Sequence, residues 1–254
     1  MTRYFPVVPL VLLVASAVAA RAADQAGDLL AGRSKDCPKC NLASANLKRF
    51  DLSRGDLEGA DLRRAILHRA QLAGANLAGA NLTGANLNKT DLKRADLAGA
   101  RLGEAMLYEA DLAEADLTRA DLAGAMMGSS HLTFARLDAA NIADADLADA
   151  QMHGAKLKDA DLSRSDLSQA TLRRAELVGA HLEAASLARA DLRGANLGGA
   201  DLHEADLMRA DLTGADLSGA NLKGARLLLA KLTDAKLDDV DLAGTIMPDG
   251  TTHE

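Results

Sequence analysis

The sequence predicts an all-β solenoid, a chain wound around a leucine core in short, equal segments. Three observations carry this. A large apolar residue recurs at every fifth position from Leu42 to Leu242, 41 positions without a slip of register; all are leucine except Met127, Ile142 and Met152. Two positions before each stands a residue that is usually alanine, as at Ala45, Ala60, Ala100 and Ala200, with Phe50 and Val240 among the exceptions. Aromatic residues are only 2% of the chain and tryptophan is absent, so the core needs a repeating way to pack that does not rely on large rings.

The N-terminal segment precedes this repeat and has a different character. Arg3 and the chain terminus supply positive charge, and Val7 to Ala20 is an apolar run. Small residues follow, with Ala20-Arg21-Ala22 forming an A-x-A site before Ala23; cleavage after Ala19 also fits. This is the layout of a cleavable signal peptide over residues 1–22. The run is shorter than the roughly 20 residues a bilayer span needs, and Pro9 interrupts it. The expectation is a periplasmic or secreted protein, with no membrane attachment after cleavage. Loss of Arg3 and Arg21 would leave 27 basic against 36 acidic residues, a net charge of −9. That balance argues against nucleic-acid phosphates or anionic lipids as bulk partners.

A period of five fits neither simple secondary structure. On an α-helix, five residues turn the chain by about 500°, so successive leucines would step around every side. On one continuous strand, an odd spacing puts alternate leucines on opposite faces. The pattern is satisfied if the chain bends at short, regular intervals. Within each extended piece, the leucine and the alanine two before it point inward. The residue between them, Asp or Asn in Asn76, Asn81, Asp111 and Asp116, points outward. Successive coils then pair like neighbouring strands about 4.8 Å apart.

Ala-Asp-Leu and Ala-Asn-Leu recur throughout, as in Ala80-Asn81-Leu82 and Ala210-Asp211-Leu212. On this motif the chain resembles the pentapeptide-repeat family over residues 41–242. The resemblance implies a right-handed quadrilateral parallel β-helix, with four five-residue sides per coil. At 20 residues per coil, these 202 residues make roughly ten coils and a rod on the order of 50 Å long. Before it, residues 23–40 form an N-terminal cap, with a short helix over 24–32 laying Leu29 and Leu30 on the first coil. After it, residues 243–254 form a tail, because Pro248 removes a backbone donor and Asp249-Gly250 favours a turn.

Candidate chemistry is sparse. Cys37-Pro38-Lys39-Cys40 has no histidine after it, so it is not a haem-attachment site, and there is no second cysteine pair to complete a zinc site. Cys37 has the phase of a central leucine and Cys40 that of an inward alanine. Both face the core, as a thiol pair or as a disulfide permitted by export. His68, His131, His153, His181 and His203 take outward positions and do not converge. Seventeen aspartates stand just before a central residue, where a short carboxylate bonds turn backbone rather than substrate. No catalytic constellation, cofactor motif or metal set emerges, and the chain reads as a non-enzyme.

Dividing the repeat into four sides exposes one less ordinary feature. Ile66, Met106, Tyr108 and Met126 fall on one side at outward positions, with Phe134 at the following corner. An exposed apolar cluster can mark a contact site. Met208, Leu228 and Leu229 form a second cluster on that side. Charge is banded along the rod: residues 41–100 carry nine basic and six acidic side chains, and residues 101–160 carry five and eleven. The expected function is a rigid structural or protein-interaction scaffold, with an unidentified protein or a second copy of the chain as partner. The alternative comes from the resemblance, since some pentapeptide-repeat proteins mimic the DNA duplex and bind or protect gyrase. The export signal and the interruptions at Arg101, Arg119, Arg136 and Lys156 weigh against that role.

Overall fold

A computed structural model of the protein describes residues 24–254; the leader expected at 1–22 lies outside the described residues. Helix α1 covers residues 24–30. The rest is a solenoid whose parallel bridges all join a residue to the one 20 positions later, from Asn41 with Asp61 to Arg226 with Ile246. Twenty residues per coil and a turn every five give four sides. Counting from the start of the ladder, residues 36–40 form the first side, 41–45 the second, 46–50 the third and 51–55 the fourth. Each recurs at intervals of 20.

One repeat accounts for all five of its backbone N–H groups. Leu62 N–H donates to Asn81 O at 2.7 Å, and Arg64 N–H to Thr83 O at 3.0 Å, both on the next coil. Asp61 N–H donates back to Cys40 O at 2.8 Å. Ala65 N–H closes the turn on Leu62 O at 3.0 Å. Only Arg63 N–H is left, and the Asp61 carboxylate takes it at 3.2 Å. The preference for Asp or Asn before each leucine is therefore a rule of backbone accounting: it satisfies the one donor that the ladder leaves over. The bridges are single residues rather than continuous strands, because each extended piece spans only three residues between turns.

The second turn residue has positive φ in every repeat, for example 63° at Gly99, 55° at Arg64 and 61° at Leu229. This is the conformation of the third residue of a type II turn, which favours glycine. Central residues 42–227 are fully or almost fully buried, with the inward alanines from Ala60 to Ala230; Ala45 is half-buried. Three of the four buried hydroxyls that replace alanine among the described residues bond to carbonyls: Thr90 to Leu67 O at 2.8 Å, Ser165 to Leu162 O at 2.6 Å, and Thr245 to Leu222 O at 2.6 Å.

The two ends differ. At the N-terminal end, Leu29 of α1 is fully buried against the first coil and Leu30 is exposed. Ladder bonds begin at Cys37, which donates to Asp56 O at 2.7 Å. At the other end, Leu229 N–H donates to Pro248 O at 3.0 Å, and the chain then reverses. Thr252 pairs antiparallel with Ile246, and His253 exchanges bonds with Gly244 and Thr245. This covers one side only. Leu232, Ala235, Val240 and Leu242 are half-buried, and Leu237 is exposed.

Candidate functional site: one side of the rod

The outward column of the third side runs Asn46, Ile66, Asn86, Met106, Met126, Asp146, Asp166, and bridges stack each on the next. Three members break the Asp/Asn rule in favour of apolar side chains. Ile66 and Met126 are 40% and 47% exposed, Tyr108 in the adjoining turn is 48% exposed, and Met106 is half-buried. The cost to the turn is visible. Tyr108 N–H, which Met106 cannot accept, is taken by Asn88 Oδ1 from the preceding coil at 2.9 Å. The N–H of Gly128, two residues after Met126, has no acceptor among the described residues. Tyr108 also leans over Gly128: a Cβ there would lie 3.6 Å from its ring.

Phe134 stands apart from this strip. It is the second residue of the turn after the fourth side, with φ 57°. Its ring packs edge-on against His153, with centroids 5.3 Å apart and planes at 74°. It also covers Gly154, where a Cβ would come within 2.5 Å of Phe134 Cε1. Met208, Leu228 and Leu229 sit four and five coils beyond Met126 along the third side, with Leu229 55% exposed.

Charge on this side is segregated. Over the first three coils its outward and turn positions carry four cations, Lys48, Arg49, Arg69 and Lys89, and no acid. Burial, followed by the fields of Arg69, Lys48 and Lys89, holds the His68 imidazole below its usual value. The next three coils carry three acids, Glu109, Asp146 and Asp149, and no cation. The two blocks meet at Lys89 and Glu109, which lie 3.2 Å apart. On the adjoining second side, Asp144 is paired bidentately with Arg164 at 2.7 and 2.8 Å. Composition alone did not show this division, because it appears only after the residues are sorted by side.

Cys37 and Cys40 are fully buried and joined by a disulfide, with Cα atoms 5.4 Å apart. It closes the first side of the first coil beneath α1. Elsewhere, shallow grooves lie between arginine-bearing turns, one formed by Arg54, Lys93, Arg94 and Glu114. Arg94 grips Glu114 there with two bonds, at 2.9 and 3.0 Å.

The sequence pattern of pentapeptide repeats matches along residues 40–133 and 135–247. The chain belongs to the pentapeptide-repeat family. No curated protein matches it. Among solved structures it is similar to HetL of the cyanobacterium Nostoc sp. strain PCC 7120, a pentapeptide-repeat protein involved in regulating heterocyst differentiation. The two are 38% identical, the match covers 83% of this chain and 94% of HetL, and the TM-score is 0.65. The Nostoc pentapeptide-repeat protein alr5209 is 40% identical, over 37% of this chain and 75% of its own, with a TM-score of 0.32. QnrB1, a plasmid-mediated fluoroquinolone resistance protein, is 18% identical over 82% and 91%, with a TM-score of 0.42. Two of every five positions in this pentapeptide-repeat chain are fixed by the core. The shared repeat therefore supplies part of the 38% identity, which argues for the fold rather than for a common role.

Proposed function

We propose that this protein is an exported, non-catalytic scaffold: a rigid right-handed quadrilateral β-helix of roughly ten coils that presents its third side to a protein partner. The observation that carries the reading is the Ile66, Met106 and Met126 column. Each gives up a turn bond that Asp or Asn makes at most other outward positions, and each faces outward with an apolar side chain. A residue that breaks the local rule without a gain to the fold is retained for something outside the fold. Export is supported by the leader pattern of residues 1–22 and by a buried disulfide, which belongs in an oxidising compartment. The block of cations at Lys48, Arg49, Arg69 and Lys89 weighs against a duplex-mimicking, gyrase-directed role, which calls for continuous negative charge.

The reading is tested in cells by fractionation, N-terminal sequencing and site-specific photo-crosslinking. A mature chain beginning near Ala23 outside the cytoplasm is expected. A crosslinker at Tyr108 should trap a protein, whereas one at Thr118, on a different side, should not. An uncleaved cytoplasmic chain would refute the export proposal, and equal trapping from both positions would refute the contact face.

A further inference from the structure

The charge pattern of the third side is not merely banded; it is self-complementary. Consider two copies placed third side against third side with their axes antiparallel. A two-fold axis in the plane of contact keeps each column facing its own counterpart and reverses only the order of coils. If that axis passes midway between Asn86 and Met106, outward residue 46 meets 146, 66 meets 126, and 86 meets 106. In the turns, 49 meets 149, 69 meets 129, 89 meets 109, and 88 meets 108.

That register matches chemistry at the apolar column and at two charge pairs, while Arg69 meets Ser129. Ile66 meets Met126 of the second copy, so two of the exposed apolar side chains on this side cover each other, twice per dimer. Arg49 meets Asp149, and the Lys48 ammonium lies beside the same acid. Asn46 meets Asp146. Lys89 meets Glu109, joining the pair each chain already makes into a four-membered cluster. The Tyr108 ring meets the Asn88 amide. A half with four cations and no acid faces a half with three acids and no cation, in both directions. The opposite arrangement, with axes parallel, would set the cations of one copy on those of the other.

We infer that the occupant of this side is a second copy of the same chain, docked antiparallel over its first six coils. The inference rests on the reading of the third side as a contact face and names its partner. Six coils at strand spacing make a strip about 29 Å long, and a side of three extended residues is about 10 Å wide. The area buried stays below the roughly 1,200 Å² of a standard stable interface. The dimer is therefore weak, driven by a small apolar centre, selected by charge and sensitive to salt. The later coils of each copy project free in opposite directions.

Sedimentation analysis of the purified protein over a concentration series, at low and high salt, tests this. A reversible monomer–dimer equilibrium is expected, weakened by salt. Arg49→Glu and Asp149→Arg should each raise the dissociation constant by about tenfold, since each removes two cross-pairs per dimer. The double variant, which exchanges the charges, should return it to within about threefold of the parent. Leu237→Asp at the open end should leave it unchanged. A parent that is monomeric throughout, a double variant weaker than either single one, or a dimer lost with Leu237→Asp but indifferent to both reversals would overturn the inference. If the parent is monomeric while a crosslinker at Tyr108 still traps a different protein, the contact face stands and only the second copy is wrong. If Tyr108 traps nothing, the contact face itself fails.

Discussion

At the scale of the residue, the fold is a set of small local settlements repeated 41 times, and the exceptions are informative. Gly99 has φ 63°, and nothing lies within 4 Å of where its Cβ would be. Gly99→Ala should therefore cost only the backbone strain, about 1 kcal/mol, read as a shift in denaturation midpoint. Ser130 takes an inward alanine position, fully buried, and its hydroxyl has no partner among the described residues. Ser130→Ala should be neutral or stabilising by about 1 kcal/mol, because it removes an unmet polar group from the core. The same substitution at Thr90, whose hydroxyl is bonded, should not stabilise. Inward leucines and alanines were legible from spacing alone. The reason for Asp or Asn before each leucine was legible in kind, as a bond to turn backbone. The particular N–H it serves emerged only when all five donors of a repeat were followed.

At the scale of the element, the turn and the caps decide local stability. Several outward carboxylates are held below the usual range. Bonding to the Arg63 side chain does this for Asp61. At Asp116, burial pushes the carboxyl up, but bonds from the Thr118 hydroxyl and amide, with the nearby Arg136, bring it down overall. Because these folded values lie below the unfolded ones, their stabilisation is complete above about pH 4 and is lost as pH falls through the folded values. Denaturation midpoints should be flat across neutral pH and fall below that point. The Cys37–Cys40 disulfide spans a sequence separation of three, and so small a loop restricts the unfolded chain little. Replacing both cysteines with alanine should cost no more than about 2 kcal/mol. The rule-breaking Met126 makes an opposite prediction. Met126→Asn restores an acceptor for Gly128 N–H, so the isolated chain should keep or raise its midpoint while self-association weakens. A lower midpoint would mean that Met126 serves the fold.

At the scale of the whole molecule, the period of five determined the winding, but not the number of sides. That number came as an expectation from the family resemblance and is observed in the 20-residue offset of the bridges. The apolar cluster was legible once the residues were assigned to sides. Phe134 was grouped with it because its turn is close by, but its ring lies on His153 and Gly154. Side-chain direction at a corner does not follow from register. The self-complementary charge was missed because charge was summed along the chain rather than along one side.

Sidedness also supplies the most direct test. Every pentapeptide presents the same inward pattern, so deleting one repeat leaves the core intact and moves all later residues one side back. Removing residues 91–95 should give a folded, disulfide-bonded solenoid with nearly the parent denaturation midpoint. It should also displace Met106, Tyr108 and Met126 from the side that carries Lys48, Arg49 and Arg69. This variant should no longer self-associate in sedimentation, whereas removal of residues 191–210, one complete coil beyond the strip, should leave association unchanged. A five-residue deletion that associates as strongly as the parent would contradict the claim that one side of the rod is the functional surface.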